Sequence, residues 1–263
     1  MAETALQRRL DAAVEVAMEA GSLALRLRPP PGAPVAQLKG TQDWLTEADG
    51  AVEAFISERL ASLFPEDGFQ GEETGTARPG TLRWVVDPID GTSNYARGSN
   101  RFCVSIGLIE ARTSLAGVLV APALGEVFAA RQGGGATLNG APIHAATTTD
   151  LSRAMVECGW SHRRPNAAFH RLVQGAMDAG ASLRAGGSGA LGLADVAAGR
   201  VDAYVELHIN LWDVAAAIAI LNEAGARVSP FMEGAGLDEG NAIFAAAPGI
   251  ADALALATGF AAP

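Results

Sequence analysis

The segment Trp84-Val85-Val86-Asp87-Pro88-Ile89-Asp90-Gly91-Thr92-Ser93-Asn94 is the most informative stretch of the chain. An apolar run of strand character enters two carboxylates three positions apart, a proline fixes the backbone between them, and a Gly-Thr-Ser turn follows. A strand that ends this way can aim Asp87 and Asp90 at one point, with the carbonyl of Ile89 beside them. That is the all-oxygen donor set that magnesium prefers. If a helical turn begins after Asp90, the N–H groups of Gly91, Thr92 and Ser93 can cradle an anion. The plainer reading is that both acids cap a turn. Charge favours the metal: no Lys, Arg or His lies between Trp84 and Ala96, and clustered carboxylates repel unless a cation joins them.

Outward from this segment, short β-branched runs over 82–86, 102–109, 114–120 and 126–130 are too closely spaced for crossover helices, so they predict an antiparallel sheet. Asn139-Gly140 closes that series with a strong hairpin-turn signal. Before it, apolar positions at helical spacing predict helices over 5–28 and 49–64, the second with Val52, Phe55, Ile56, Leu60 and Leu63 on one face. After residue 150 the pattern alternates. Strands are expected over 154–157, 201–206, 227–229 and 242–246, and helices over 166–178, 189–198, 213–224 and 249–258. The fold class is therefore α/β, with an antiparallel sheet in the first half and a mixed one in the second, and no linker or repeat between them.

Composition sets the outer limits. Of 263 residues, 49% are apolar and 18% charged, which excludes fibrous and disordered classes. The formal charge of −10 predicts repulsion of nucleic acid and anionic membrane. Cys103 and Cys158 sit in apolar runs without a Cys-x-x-Cys spacing, as in a reduced, cytoplasmic protein. The acidic N-terminus does not read as a secretory signal, and no uncharged stretch reaches the roughly 20 residues of a membrane span.

Further acids stand at Gly71-Glu72-Glu73 and at Trp212-Asp213-Val214-Ala215. Taken alone, Glu72 and Glu73 are loop acids and Asp213 is a helix N-cap. Together with the central segment, in this order and spacing, these motifs resemble the inositol monophosphatase family of magnesium-dependent, lithium-sensitive sugar phosphatases. Weaker similarities run from Lys39 to Ala247, through Leu45-Thr46-Glu47-Ala48-Asp49, Val104-Ser105-Ile106-Gly107 and Asn139-Gly140.

The resemblance implies a layered αβαβα sandwich forming one domain over 1–263, with a metal-binding half (1–148) and a substrate-specificity half (149–263). It implies two to three magnesium ions held by Glu72, Asp87, Asp90, Asp213 and the Ile89 carbonyl. It also implies that Glu72 orients a water which Thr92, hydrogen-bonded to Asp49, helps to deprotonate. Gly91, Thr92, Ser93, Ser188, Gly189 and Glu206 would contact a small phosphorylated metabolite, inositol-1-phosphate or a similar polyol phosphate. Related activities on the same scaffold are fructose-1,6-bisphosphatase, 3′-phosphoadenosine 5′-phosphate phosphatase and histidinol-phosphate phosphatase. A homodimer is expected on the same ground, and a non-catalytic binding member is the reading from another class. Lys39, the only lysine of the chain, resembles a family lysine near the metals.

Gly187-Ser188-Gly189-Ala190-Leu191-Gly192 matches Gly-x-Gly-x-x-Gly, but no acid follows at the distance a dinucleotide site needs. The four histidines lack metal-site spacing, so zinc is not expected, and His208 is read as pocket-lining or structural. The basic, aromatic loop Trp160-Ser161-His162-Arg163-Arg164-Pro165 is read as a solvated loop, a second-phosphate contact or a subunit contact.

Overall fold

The computed structural model describes residues 3–30, 37–40, 43–45 and 47–260. Two helices open the chain, α1 (Glu3–Leu27) and α2 (Glu47–Leu63), with the short pair β1 (Gln37–Gly40) and β2 (Asp43–Leu45) between them. Strands β3 (Gly68–Gly71), β4 (Gly75–Arg78) and β5 (Leu82–Asp90) lead into the one-turn helix α3 (Thr92–Ala96). Then come β6 (Cys103–Glu110), β7 (Thr113–Ala121), β8 (Glu126–Arg131), β9 (Ala136–Leu138) and β10 (Ala141–Pro142). The order of this eight-stranded sheet is β10-β9-β8-β7-β6-β5-β3-β4.

The second sheet takes its strands from β11 (Met155–Cys158), β12 (Ser182–Arg184), β13 (Ala203–Ile209), β14 (Arg227–Val228) and β15 (Asn241–Ala246). Its order is β12-β11-β13-β15-β14, with β11 parallel to both neighbours and β15 antiparallel to both of its own. Four helices are threaded among these strands: α4 (Asn166–Asp178), α5 (Gly189–Ala197), α6 (Leu211–Glu223) and α7 (Ala251–Thr258).

Three apolar clusters stack these elements into layers. One joins α1 and α2 to the first sheet around Phe64, Phe69 and Trp84. One fills the space around α5 and α6 between the sheets, and the third joins α4 and α7 to the outer face of the second sheet. The result is an αβαβα sandwich. The central layer is thin because its residues are small. Helix α6 lays Ala215, Ala216 and Ala217 against β6 and β7 at Gly107 and Gly117. A Cβ on Gly107 would lie 2.8 Å from Ala215, and one on Gly117 would overlap the Ala216 carbonyl.

The local signals translate directly into elements at Asn139-Gly140. Both residues have positive φ, 50° and 78°, and form the two-residue hairpin loop that pairs Leu138 with Ala141. Two expectations need correction. The first sheet is not wholly antiparallel, because β3 pairs parallel with β5. Its glycine-flanked Gly68-Phe69-Gln70-Gly71 carries no alternating pattern to announce a strand. The apolar face of α2 also differs: Leu63 is exposed, whereas Asp49 and Glu53 are buried. Helix α2 turns a polar edge inward for the reason given below.

The close approach of α6 yields a test. Gly117→Ala is expected to lower stability by about 1–3 kcal/mol through overpacking, measured as the shift in urea midpoint at constant slope. Wild-type stability in that variant would mean that α6 is not seated as described.

Candidate active site

Strand β5 continues past Val86 through Asp87-Pro88-Ile89-Asp90, and the register with β6 shifts between Asp87 and Asp90. A proline is tolerated there because a bulge has no ladder hydrogen bond to lose. The bulge brings both carboxylates to one end of the strand. The Asp87 carboxylate accepts the N–H of Ile89 at 2.9 Å. Asp90 crosses to the start of α5, where it accepts the Ser188 hydroxyl, the Gly189 N–H at 3.2 Å and the Ala190 N–H at 3.1 Å.

Asp213 arrives from the first turn of α6. Its carboxylate accepts the Asn210 N–H at 2.9 Å and closes a capping box. The N-cap reading and the metal reading are therefore both compatible with its place, since Asp87, Asp90 and Asp213 bring carboxylate oxygens within 4.8 Å of one another. Glu72 lines the same cavity, and its N–H donates to Val86 O at 3.1 Å. The turn that carries it is held by Glu53 of α2, which accepts the N–H groups of Glu73 (2.9 Å) and Thr74 (3.0 Å). Asp49, one helical turn before Glu53, accepts the Thr92 hydroxyl at 3.3 Å, while that hydroxyl lies 2.9 Å from the Ile89 carbonyl. The buried polar edge of α2 thus serves the site.

The cavity holds about 680 Å³ and is lined by Glu72, Asp87, Ile89, Asp90, Gly91, Thr92, Ser93, Gly189, Glu206 and Asp213 among others. The Ser188 side chain lies buried beneath Asp90 and is not among the lining residues. Glu206 accepts the buried Tyr204 hydroxyl at 2.6 Å, and there is room for the pair because residue 159 is glycine. His208 lines the cavity and its Nε2 meets the Glu239 carbonyl at 2.8 Å. Lys39 lies on β1, and its side chain falls outside the described residues.

The glycine loop 187–192 has a physical use that its spacing concealed. It opens α5, whose N-terminal N–H groups already hold an anion, the carboxylate of Asp90. Behind that loop lies an ion network that the sequence did not announce. Arg101 and Arg184 both engage Glu157 and Asp195, with Arg101 at 3.1 Å and 2.9 Å, and Arg200 reaches Asp195 at 3.3 Å. Asn94 adds a brace by donating to the carbonyls of Arg101 and Gly186, both at 2.8 Å.

Burial penalises ionisation throughout the cluster. The Asp87 carboxyl is pushed well above the carboxylate range, first by burial and then by Glu72, Asp90 and Asp213. Asp213 is pushed up to about 7 by burial and by Asp90, against the Asn210 N–H. Asp90 is raised less, because Ser188, Ala190 and Gly189 oppose its burial. Glu206 is pushed up to about 8, again chiefly by burial. The donor set is all oxygen, buried at Asp87 and Asp90 and half-buried at Glu72 and Asp213, and carries more negative charge than its surroundings balance, which fits a hard divalent cation.

With this geometry in place, the comparisons with known proteins decide the family. The model of the inositol monophosphatase family matches residues 5–260. The chain belongs to that family. Nus factor SuhB of Escherichia coli K12 is 37% identical over 231 residues, covering 86% of each chain. Inositol-1-monophosphatase of Mesorhizobium japonicum is 36% identical over 211 residues, covering 78% of this chain and 79% of the relative. Among solved structures, extragenic suppressor protein suhB of Bartonella henselae superposes with a TM-score of 0.88 at 30% identity, covering 95% of this chain and 98% of the other. Inositol monophosphatase of Anabaena gives 0.82 at 34% identity, covering 96% and 95%. No helix among the described residues is long and apolar enough to cross a membrane.

The raised carboxyls make stability depend on pH in a definite direction. Between the ordinary carboxylate range and pH 7–8 the native state holds more protons at Asp213 and Glu206 than the unfolded chain does, so stability falls as pH rises. Metal-free protein is expected to melt at a lower temperature at pH 8 than at pH 5.5, and millimolar magnesium to restore the loss. A melting temperature that rises over this range, or ignores magnesium, would contradict the picture.

Proposed function

We propose that the chain is a magnesium-dependent phosphatase that hydrolyses a small phosphate monoester, inositol-1-phosphate or a similar polyol phosphate. The observation that carries this reading is the convergence of three carboxylates on one cavity, with the Thr92–Asp49 pair alongside. Glu72, Asp87, Asp90, Asp213 and the Ile89 carbonyl are the groups that would hold the metal. When bound, magnesium neutralises the phosphate dianion, acidifies a water and stabilises the leaving oxygen.

The protein's own contribution is positional. Gly91, Thr92 and Ser93 line the cavity where the chain leaves β5, and first-turn N–H groups without an intrahelical acceptor suit a phosphate oxygen. Glu72 faces the same space and orients the attacking water. Thr92 can take a proton from that water only by passing its own onward. Its hydroxyl lies nearer the Ile89 carbonyl than Asp49, so the relay requires the rotor to turn toward the Asp49 carboxylate. Glu206, steadied by Tyr204 and lining the same cavity, would read substrate hydroxyls.

A second role is favoured by the name Nus factor SuhB, borne by relatives 36–40% identical to this chain. That name is not one of a phosphatase. The net negative charge is therefore no ground for excluding macromolecular partners, nucleic-acid assemblies included, and a binding role can coexist with catalysis.

The deciding experiment is a panel of phosphate monoesters assayed with magnesium, with and without lithium. Turnover that needs magnesium and is inhibited by lithium is expected, and no turnover on any member would leave the binding role alone. Asp90→Asn is expected to remove at least about 10²-fold of the activity while the protein stays folded. Thr92→Val should lower kcat by about 10²-fold with little change in KM, the range for losing a proton-transfer group. Full activity in either variant would sink the role assigned to that residue.

A further inference from the structure

Helices α1 and α3 end against each other. The last four carbonyls of α1 have no intrahelical donor, and one of them, that of Ala24, accepts the Tyr95 hydroxyl of α3 at 2.8 Å. In return Arg28, the residue that follows α1, serves the end of α3. Its Nε donates to the Tyr95 carbonyl at 3.2 Å, one terminal nitrogen to the Asn100 side chain at 3.1 Å, and the other to the Ser99 carbonyl. The guanidinium also lies over the rings of Tyr95 and Phe102, at 5.6 Å and 5.1 Å from their centres, and those two rings meet edge to face at 5.0 Å. Ala24, Tyr95 and Phe102 are fully buried, whereas residues 97–100 are exposed.

A helix of five residues cannot hold itself, since the entropy lost in ordering one turn exceeds what its few hydrogen bonds recover. The chain at its start brings Gly91, Thr92 and Ser93 to the cavity, so its shape has to be imposed from outside. Thr92 is bonded to Asp49 at the front, and Asn94 to the carbonyls of Arg101 and Gly186 in the middle. At the rear the Arg28 guanidinium gathers three oxygens, and its positive charge stands at the negative end of the turn. Arg28 itself is not among the residues that line the cavity. Its anchor is firm: α1 runs for 25 residues and seats Val16, Ala17, Ala20 and Ala24 in the core beneath the first sheet.

We infer that Arg28 is a positioning residue: through the Tyr95 and Ser99 carbonyls and the Asn100 side chain it fixes the turn that carries Thr92 and Ser93, and so sets how tightly the cavity holds a phosphate, without touching the substrate. This inference rests on the phosphatase reading of the cavity. The role is particular to a guanidinium. An ammonium can meet one or two of these oxygens, but it cannot fork across all three while lying flat on two rings. The carboxylates of Asp87, Asp90 and Asp213 are held by donors of their own, outside this turn, so the effect falls on the anion and not on the cation.

The test compares the full chain as wild type, Arg28→Met and Arg28→Lys, each well below its melting temperature. Magnesium is titrated calorimetrically into each protein, inorganic phosphate is then titrated into the magnesium-loaded form, and amide exchange is followed over residues 91–102. In Arg28→Met, phosphate is expected to bind about tenfold more weakly while magnesium affinity stays within about twofold, because the lost charged hydrogen bonds served the turn alone. Exchange should quicken at the N–H groups of Tyr95, Arg97 and Ser99, which are bonded to the carbonyls of Gly91, Ser93 and Asn94 at 2.9 Å, 3.2 Å and 2.9 Å. Arg28→Lys should recover part of both effects. A residue that merely stabilised the end of α1 would lower the melting temperature and leave phosphate affinity as it is. Unchanged phosphate binding in folded Arg28→Met therefore overturns the inference, as does an equal loss of magnesium and phosphate, or unchanged exchange. If Arg28→Met does not fold, Arg28→Lys is read by the same criteria. Wild type that binds magnesium but no phosphate would count against the phosphatase reading alone, and the exchange rates then decide whether Arg28 holds the turn.

Discussion

The mutual repulsion of Asp87, Asp90 and Asp213, held within 4.8 Å of one another in the interior, is the constraint around which this molecule is arranged. A fold left to hydrophobic burial would not gather these groups. Two helix starts partly offset the cost. The N-terminus of α5 faces Asp90 and that of α6 holds Asp213, each with N–H groups and a favourable dipole. Burial raises all three carboxyls, and their neighbours set the differences: Asp90 is opposed by a hydroxyl and two N–H groups, Asp213 reaches about 7 against the Asn210 N–H, and Asp87, which also faces Glu72, Asp90 and Asp213, is pushed well above its usual range. What the backbone leaves uncompensated is work for a cation or for protons.

The frame that brings these groups together depends on closeness. Helix α6 delivers Asp213 because its alanines settle on Gly107 and Gly117 of the first sheet. Helix α5 delivers its N-terminus because Asn94 and the Arg101–Glu157 pair tie the loop before it to the chain leaving β5. Helix α2 gives up part of its apolar face so that Asp49 and Glu53 can reach Thr92 and the Glu72 turn. Packing and site are one arrangement here, since each helix that closes the core also delivers a polar group to the cavity.

What was legible beforehand was local. The Asp87-to-Asp90 segment, the Asn139-Gly140 hairpin and most helices carry their instructions within a few residues. Partnership across the chain was less legible. Asp49 was reached only through the family resemblance, as the partner of Thr92, while Glu53, one turn further along the same helix, carried no signal because an acid on an amphipathic helix ordinarily faces water. The network of Arg101, Glu157, Arg184 and Asp195 joins positions with no sequence signature. The glycine loop 187–192 resembled a cofactor site for a physical reason: it is an anion-binding helix start, and the anion is a carboxylate of the same chain.

The family frame is common to relatives with two kinds of name, inositol-1-monophosphatase and Nus factor SuhB. For either role, the carboxylate cluster of this chain is there to meet a cation. Magnesium titrated calorimetrically into metal-free protein at pH 7, in two buffers of different ionisation enthalpy, counts the protons displaced on binding. Release of roughly one proton or more per chain is predicted, as the Asp87 and Asp213 carboxyls ionise to receive the metal. Absence of magnesium binding, or binding that releases no proton, would contradict it.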